Sequence, residues 1–299
     1  MTCLSLDLTG GEVLVPGHGL QATRLSLADG LIVADPVGRA ADLSGYLVLP
    51  GIVDIHGDGF ERHLAPRRGA MPDTEEGVAA TEAELAANGI TTGVLAQFMS
   101  WEGGLRGGEF AAQVFDAIAR ARPGLVTELI PQLRFETHLL DDYATLAEHI
   151  AAWQVPYIVF NDHLPHDHLA AGKTPPALTG QALKAGRNPE THHQLLRDLH
   201  ANAPEVPAAL DALTAELGRM GLRMGSHDDR SPAERAAWRA RGVTIAEFPE
   251  TRQAAAAARA AGDGIIYGAP NVVRGASHKR NVSAAEMVAE GLCDALASD

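Results

Sequence analysis

Apolar and polar positions alternate along the chain in two distinct ways. Over the first fifty residues, short apolar runs (Val13–Val15, Leu25–Leu27, Leu31–Val33) are cut by Gly10-Gly11, Gly17, Asp29-Gly30 and Asp35-Pro36. Asp-Gly between such runs is a hairpin signal, so residues 1–50 read as a small β-rich segment. It is too short to close a β-sandwich alone and reads as half of a composite one. From Leu47 onward, strand-length apolar runs alternate with helical stretches. The predicted strands are Ile52–His56, Thr92–Phe98, Leu129–Phe135, Tyr157–Asn161, Leu222–Ser226, Thr244–Phe248, Gly264–Ala269 and Leu292–Leu296. Between them, Thr74–Asn88, Glu109–Ala121, Asp141–Trp153, Pro207–Met220 and Pro232–Arg241 carry a helical period, and the Ala-rich tract Arg252–Ala261 reads as a further helix. About eight β/α units predict a TIM-like (β/α)8 barrel over 51–299, preceded by the β-rich segment as an incomplete β-sandwich. Leu164–Asn188 shows no clear periodicity and reads as a long loop, either functional or disordered.

Composition narrows the picture. The chain has 299 residues, 46% of them hydrophobic, and 24 Lys+Arg against 38 Asp+Glu give a formal charge of −14. An acidic surface argues against nucleic-acid and anionic-membrane partners. No run approaches the ~18 apolar residues that span a bilayer. The start lacks a basic, apolar leader, and only Cys3 and Cys293 are present, so the expectation is a cytoplasmic protein without a disulfide framework.

Barrel enzymes carry their chemistry at the C-terminal ends of the strands. There the apolar runs end in His56-Gly57-Asp58, Glu136, Asn161-Asp162-His163, His227-Asp228-Asp229 and Ser298-Asp299. Imidazoles and carboxylates without thiolates suit divalent Zn, Mn, Fe or Ni. Residues i and i+2 of a strand share a face, so His56 and Asp58 can hold one cation. Glu136 is placed to bridge two cations, with His163 and His227 completing the second. Asp162, Asp228 and Asp229 read as partners of the metal-bound imidazoles, and His138 as partner or bystander. His166 and His168 read as exposed or substrate-facing, and His192, His193 and His200 as solvent-facing.

Leu47 to Asp58 resembles the opening of the amidohydrolase superfamily, in which a small β-sandwich leads through Leu-Pro-Gly into the first barrel strand. His56-Gly57-Asp58 with Glu61, Leu133-Arg134-Phe135-Glu136, Asn161-Asp162-His163, Ser226-His227-Asp228-Asp229 and the block Gly268–His278 are similar to a narrower family. This is the alpha-D-ribose 1-methylphosphonate 5-triphosphate diphosphatase family of the carbon–phosphorus lyase pathway. The resemblance implies two divalent ions on His56, Asp58, Glu136, His163 and His227, and Asp299 as the catalytic base. It implies hydrolysis between the α and β phosphorus of a triphosphate ester, in phosphonate catabolism. It also implies a segment after Asp299 that supplies the last barrel helix and returns to the β-sandwich.

A polyanionic substrate needs cationic partners. Basic residues gather after strand ends: Arg62, Arg67 and Arg68; Lys173, Lys184 and Arg187; Arg274, Lys279 and Arg280. Of these, Arg67, Arg68, Lys173, Lys184, Arg187 and Arg274, with Asn271 and His278, are the candidate substrate ligands. The expected partner is a phosphorylated ribose phosphonate, and a homodimer is compatible with the barrel. Two other readings stand beside this one: hydrolysis of a C–N bond by a deacetylase or cyclic amidase, and a non-catalytic scaffold or inactive fragment.

Overall fold

A computed structural model describes residues 4–66, 73–275 and 281–299. The chain divides into two compact units, Met1–Ile52 and Val53–Asp299. The first unit holds β1 (Leu6–Thr9), β2 (Glu12–Val15), β3 (Gly19–Ala22), β4 (Leu25–Ala28), β5 (Leu31–Val33), β6 (Ala40–Asp42) and β7 (Leu47–Val48). They form two sheets, ordered β5-β4-β1-β6 and β3-β2-β7. The hairpin signal at Asp29-Gly30 is realised: β4 and β5 pair antiparallel with Ala28 opposite Leu31. Asp29 and Gly30 take φ of 51° and 78°, the left-handed conformation such a two-residue turn requires. Inside the unit, Asp7 accepts from the Ser26 hydroxyl at 2.6 Å and from the backbone amides of Val37 and Gly38. These bonds hold its carboxyl below the usual range. Among the unit's described apolar residues only Val13 is buried, whereas Leu31 and Ile32 are 68% and 72% exposed.

The second unit is built on β8 (Ile52–Gly57), β9 (Ile90–Met99), β10 (Glu128–Glu136), β11 (Tyr157–Asn161), β12 (Arg223–His227), β13 (Ile245–Glu247), β14 (Gly264–Gly268) and β15 (Ala295–Ala297). They lie side by side in chain order, and the pairs from β9 to β15 are parallel. All eight predicted strands are present, with ends shifted by at most three residues. The barrel nearly closes. Past the end of β15, the Ser298 amide donates to Asp54 Oδ1 at 2.9 Å, and the Asp299 amide to the His56 carbonyl at 3.2 Å. The architecture is a TIM-like barrel with a small β-rich part before it.

Helices alternate with the strands: α1 (Glu61–Leu64), α2 (Thr74–Ala87), α3 (Gly108–Ala121), α4 (Tyr143–Ala152), α5 (His166–Ala170), α6 (Leu178–Lys184), α7 (Pro189–Ala201), α8 (Val206–Arg219), α9 (Pro232–Ala240), α10 (Arg252–Ala261), α11 (Ala269–Arg274) and α12 (Ala284–Ala289). Leu133, Phe135, Ile158 and Phe160 on β10 and β11 pack against Val114, Phe115 and Ile118 of α3 and Leu210, Leu213 and Leu217 of α8 within one core. On the other side, Ala255 and Ala258 of α10 meet Ala246 and Ile265, small side chains that let the helix lie close to β13 and β14. Thr251 caps this helix by accepting from the Ala254 amide, and Gly262 ends it at φ 74°. Among the described residues no helix is long and apolar enough to cross a membrane.

Two expectations are corrected. Leu164–Asn188 is not a structureless loop but contains α5 and α6, because Leu164, Leu169 and Leu178 bury against Trp101 and Leu196. His192 is fully buried rather than solvent-facing. It lies in α7 beside Trp101, with ring centroids 6.0 Å apart.

Candidate metal centre

The strand ends meet at one mouth of the barrel. His56 closes β8 and is fully buried. Its Nδ1 stands 2.9 Å from Glu247 Oε2, while its Nε2 has no hydrogen-bond partner. Its ring lies 5.7 Å from that of His227, and Phe248 sets its edge against both. Glu247 is anchored from the far side by Gln132 Nε2 at 2.8 Å and the Tyr157 hydroxyl at 2.6 Å. Burial alone would raise its pKa, but the charge and hydrogen bond of His56, with help from His227 and Tyr157, bring it down to about 2.

Glu136 closes β10 and is also fully buried. Its Oε1 lies 2.5 Å from His163 Nδ1, and its Oε2 accepts from the Trp101 indole at 3.2 Å and the His163 amide at 3.1 Å. For His163, burial pulls the pKa down, but the hydrogen bond and charge of Glu136 win, and the net shift is upward.

Asp58 and His227 share one neighbour, Arg134. Arg134 donates to Asp58 Oδ2 at 2.9 Å and stands 3.0 Å from His227 Nε2. Its guanidinium lies 4.1 Å above the Phe98 ring. Burial first, then the Arg134 charge, lowers the His227 pKa to about 4. That imidazole is therefore neutral at physiological pH, the form a metal requires. His227 Nδ1 stands 3.2 Å from Asp228 Oδ1. Asp299 enters from the seam in a left-handed conformation, φ 59°. Burial and the neighbouring Asp58 charge raise its pKa.

Two groups of side chains bring ligand atoms within 4.8 Å of one another: His56, His227 and Glu247, and His163, His227 and Asp228. A buried imidazole nitrogen with no partner costs on the order of 1–3 kcal/mol unless something binds it. The unpartnered Nε2 of His56, the neutral His227 and the all-nitrogen-and-oxygen donor set fit a borderline divalent cation. The structure brings His56, His163 and His227 together, with the His227 ring 5.7 Å from that of His56 and 6.3 Å from that of His163. In this structure Glu136 meets His163 and Trp101, and Asp58 meets Arg134. Asp229 does not face the centre: its Oδ2 accepts from Ser226 at 2.8 Å and from the buried Arg235 at 3.0 Å.

A cavity of about 410 Å³ opens over this mouth, lined among others by Asp58, Arg106, Arg134, Asn271 and Asp299. Of the predicted substrate ligands, Asn271 is there. Arg187 is held elsewhere, donating to the backbone carbonyls of Trp101 and Glu102 at 2.6 and 3.3 Å. Lys173, Lys184 and Arg274 are exposed and do not line the cavity. Arg67, Arg68 and His278 lie outside the described residues. The residues missed in sequence are Arg106, Arg134 and Glu247. Arg134 was readable, because it precedes Glu136 by two on one strand and so shares its face.

No family model matches the chain. By structure it resembles a protein assigned as a prolidase from Bifidobacterium longum, with TM-score 0.54 and 12% identity over 92% of this chain and 66% of that one. It also resembles a D-hydantoinase, with TM-score 0.50 and 15% identity over 99% of this chain and 68% of that one. The chain therefore spans about two thirds of the length of these structures, and at such identities the likeness concerns the fold. Together with the sequence motifs, it makes the chain similar to the amidohydrolase superfamily, a class of metal-dependent hydrolases. Within that class the chain is similar to the alpha-D-ribose 1-methylphosphonate 5-triphosphate diphosphatase of Escherichia coli (strain K12). The two are 27% identical over 267 residues, which cover 87% of this chain and 70% of that protein.

Proposed function

We propose that the protein hydrolyses the α–β phosphoanhydride of alpha-D-ribose 1-methylphosphonate 5-triphosphate. Water adds at the α-phosphorus, the bond from that phosphorus to the bridging oxygen breaks, and pyrophosphate leaves. The observation that carries this reading is the similarity to the Escherichia coli diphosphatase along 87% of the chain. The Arg106 and Arg134 cations in the cavity support it, since an anionic substrate needs such partners within an acidic protein.

His56, Asp58, Glu136, His163 and His227 would hold two divalent ions. Bound there, divalent ions acidify water and neutralise phosphoryl oxygens. The chain's own groups do the remaining work. Asp299 accepts the proton of the attacking water, and its raised pKa makes it a stronger base than an ordinary aspartate. Glu247 orients His56 through Nδ1, leaving Nε2 as a lone-pair donor. Arg134, which pairs with Asp58 in this structure, and Arg106 line the cavity and would meet the phosphate chain there. We read the first fifty residues as half of a β-sandwich completed by further strands, in keeping with the exposure of Leu31 and Ile32.

The test is pyrophosphate release from a ribose 5-triphosphate ester, together with a count of bound divalent metal per chain. Release by the wild-type chain, with release and metal both lost in Glu136→Gln, is the expected result. Turnover of an N-acyl or cyclic amide substrate, with triphosphates untouched, would overturn the reading.

A further inference from the structure

A second set of metal-type side chains lies beside the centre and shares no residue with it. His138 lies two residues past β10, Asp162 directly follows β11, and His166 opens α5. His138 Nε2 is 3.4 Å from Asp162 Oδ2, and His166 Nε2 is 3.1 Å from the same oxygen. All three ligand atoms lie within 4.8 Å of one another. A tetrahedral ion with bonds of ~2.1 Å sets its ligands ~3.4 Å apart, and the two imidazole–carboxylate separations, 3.4 and 3.1 Å, are close to this. His138 is 4% exposed and its Nδ1 has no hydrogen-bond partner. The other nitrogen of His166 rests 2.8 Å from His200 Nδ1, which fixes the ring with Nε2 toward Asp162.

We propose that His138, Asp162 and His166 form an additional site for a borderline divalent cation of the zinc type, separate from the central ligands. Two imidazoles and one carboxylate supply three donors. All three residues line a cavity of about 620 Å³, which leaves a fourth position open to water or an anionic oxygen. The ion would tie the segment after β10 to the connection between β11 and α5.

The experiment uses the full chain, stripped with a chelator and titrated calorimetrically with zinc alone; no phosphate compound enters it. His166→Ala is expected to bind one equivalent fewer than wild type, with the remaining affinities unchanged within about threefold. In His227→Ala the central binding falls while this site persists, and cobalt substituted there gives visible d–d absorption that disappears when His166→Ala is added. The His166 side chain is one third exposed, so its removal is compatible with folding, which a thermal unfolding midpoint checks. Asp162→Asn is the second variant and should lose the same equivalent. Equal zinc counts and affinities in wild type and in either folded variant would overturn the proposal.

Discussion

Arg134 and Asp58 face each other across the barrel mouth, joined at 2.9 Å, with the imidazole of His227 against the other side of the guanidinium. A fixed cation thus stands among groups that would hold metal cations. Like charges at such separations repel by a few kcal/mol at protein-like dielectric. Arg134→Gln should therefore bind zinc at the centre at least about tenfold more tightly, a difference of ~1.4 kcal/mol. If the proposed activity holds, the same variant should lose roughly 10²-fold or more in kcat/KM for a triphosphate ester, because a cation lining the cavity would be gone. Competition with a chromogenic chelator and steady-state kinetics check the two halves. Unchanged zinc affinity would mean that Arg134 does not oppose the ion.

Glu247 touches His56 on one side and Gln132 and Tyr157 on the other. Its replacement by Gln removes the carboxylate that holds His56 Nδ1. Zinc affinity should fall by about 10–100-fold, the usual effect of losing a partner of a ligating imidazole. Tyr157→Phe should show a smaller loss in the same direction. Chelator competition on both variants distinguishes this from a purely structural role, which would lower the unfolding midpoint without moving zinc affinity.

Arg235 is 1% exposed and lies 3.0 Å from Asp229 and 3.2 Å from Asp263, while also donating to the Ser226 hydroxyl. It locks α9 to the segments after β12 and before β14. Arg235→Met would leave two buried carboxylates short of their partner. A loss of about 3–5 kcal/mol is expected from chemical denaturation. A loss below 1 kcal/mol would show that Arg239, the other cation on Asp263, compensates.

The thiol of Cys293 donates to the Ala295 carbonyl at 3.2 Å, and burial raises its pKa above the ordinary value, with Asp294 adding to the shift. A raised thiol pKa means less thiolate at any given pH below it. In a Cys3→Ser background, alkylation of Cys293 at pH 8 should be slower in the native chain than in the chain unfolded in urea. The native rate should also keep rising to a higher pH. Equal rates in the two states would contradict the assigned environment.

What could be read in the sequence was whatever a single strand or helix encodes by itself. The run ending at Glu136 is apolar because both faces of β10 are covered, and its last residue marks the mouth. The reversal at Asp29-Gly30 is likewise local. What could not be read depends on partners far along the chain. Glu247 is an acid within an apolar run, and its place inside the barrel is set by Gln132 and Tyr157, 115 and 90 residues away. The helices α5 and α6 arise from Leu164, Leu169 and Leu178 meeting Trp101 and Leu196, not from a period within the segment. His192 is buried by that same contact, although its neighbours along the chain are polar.

The barrel's last join is made by two backbone amides, those of Ser298 and Asp299, reaching Asp54 and His56. Asp54 and His56 belong to the first strand of the barrel, and Asp299 is the residue read as its base. Closing the ring thus also brings Asp299 beside His56. If Asp299 is the base, a barrel whose first and last strands have not met would hold His56 and that base on opposite edges of an open sheet.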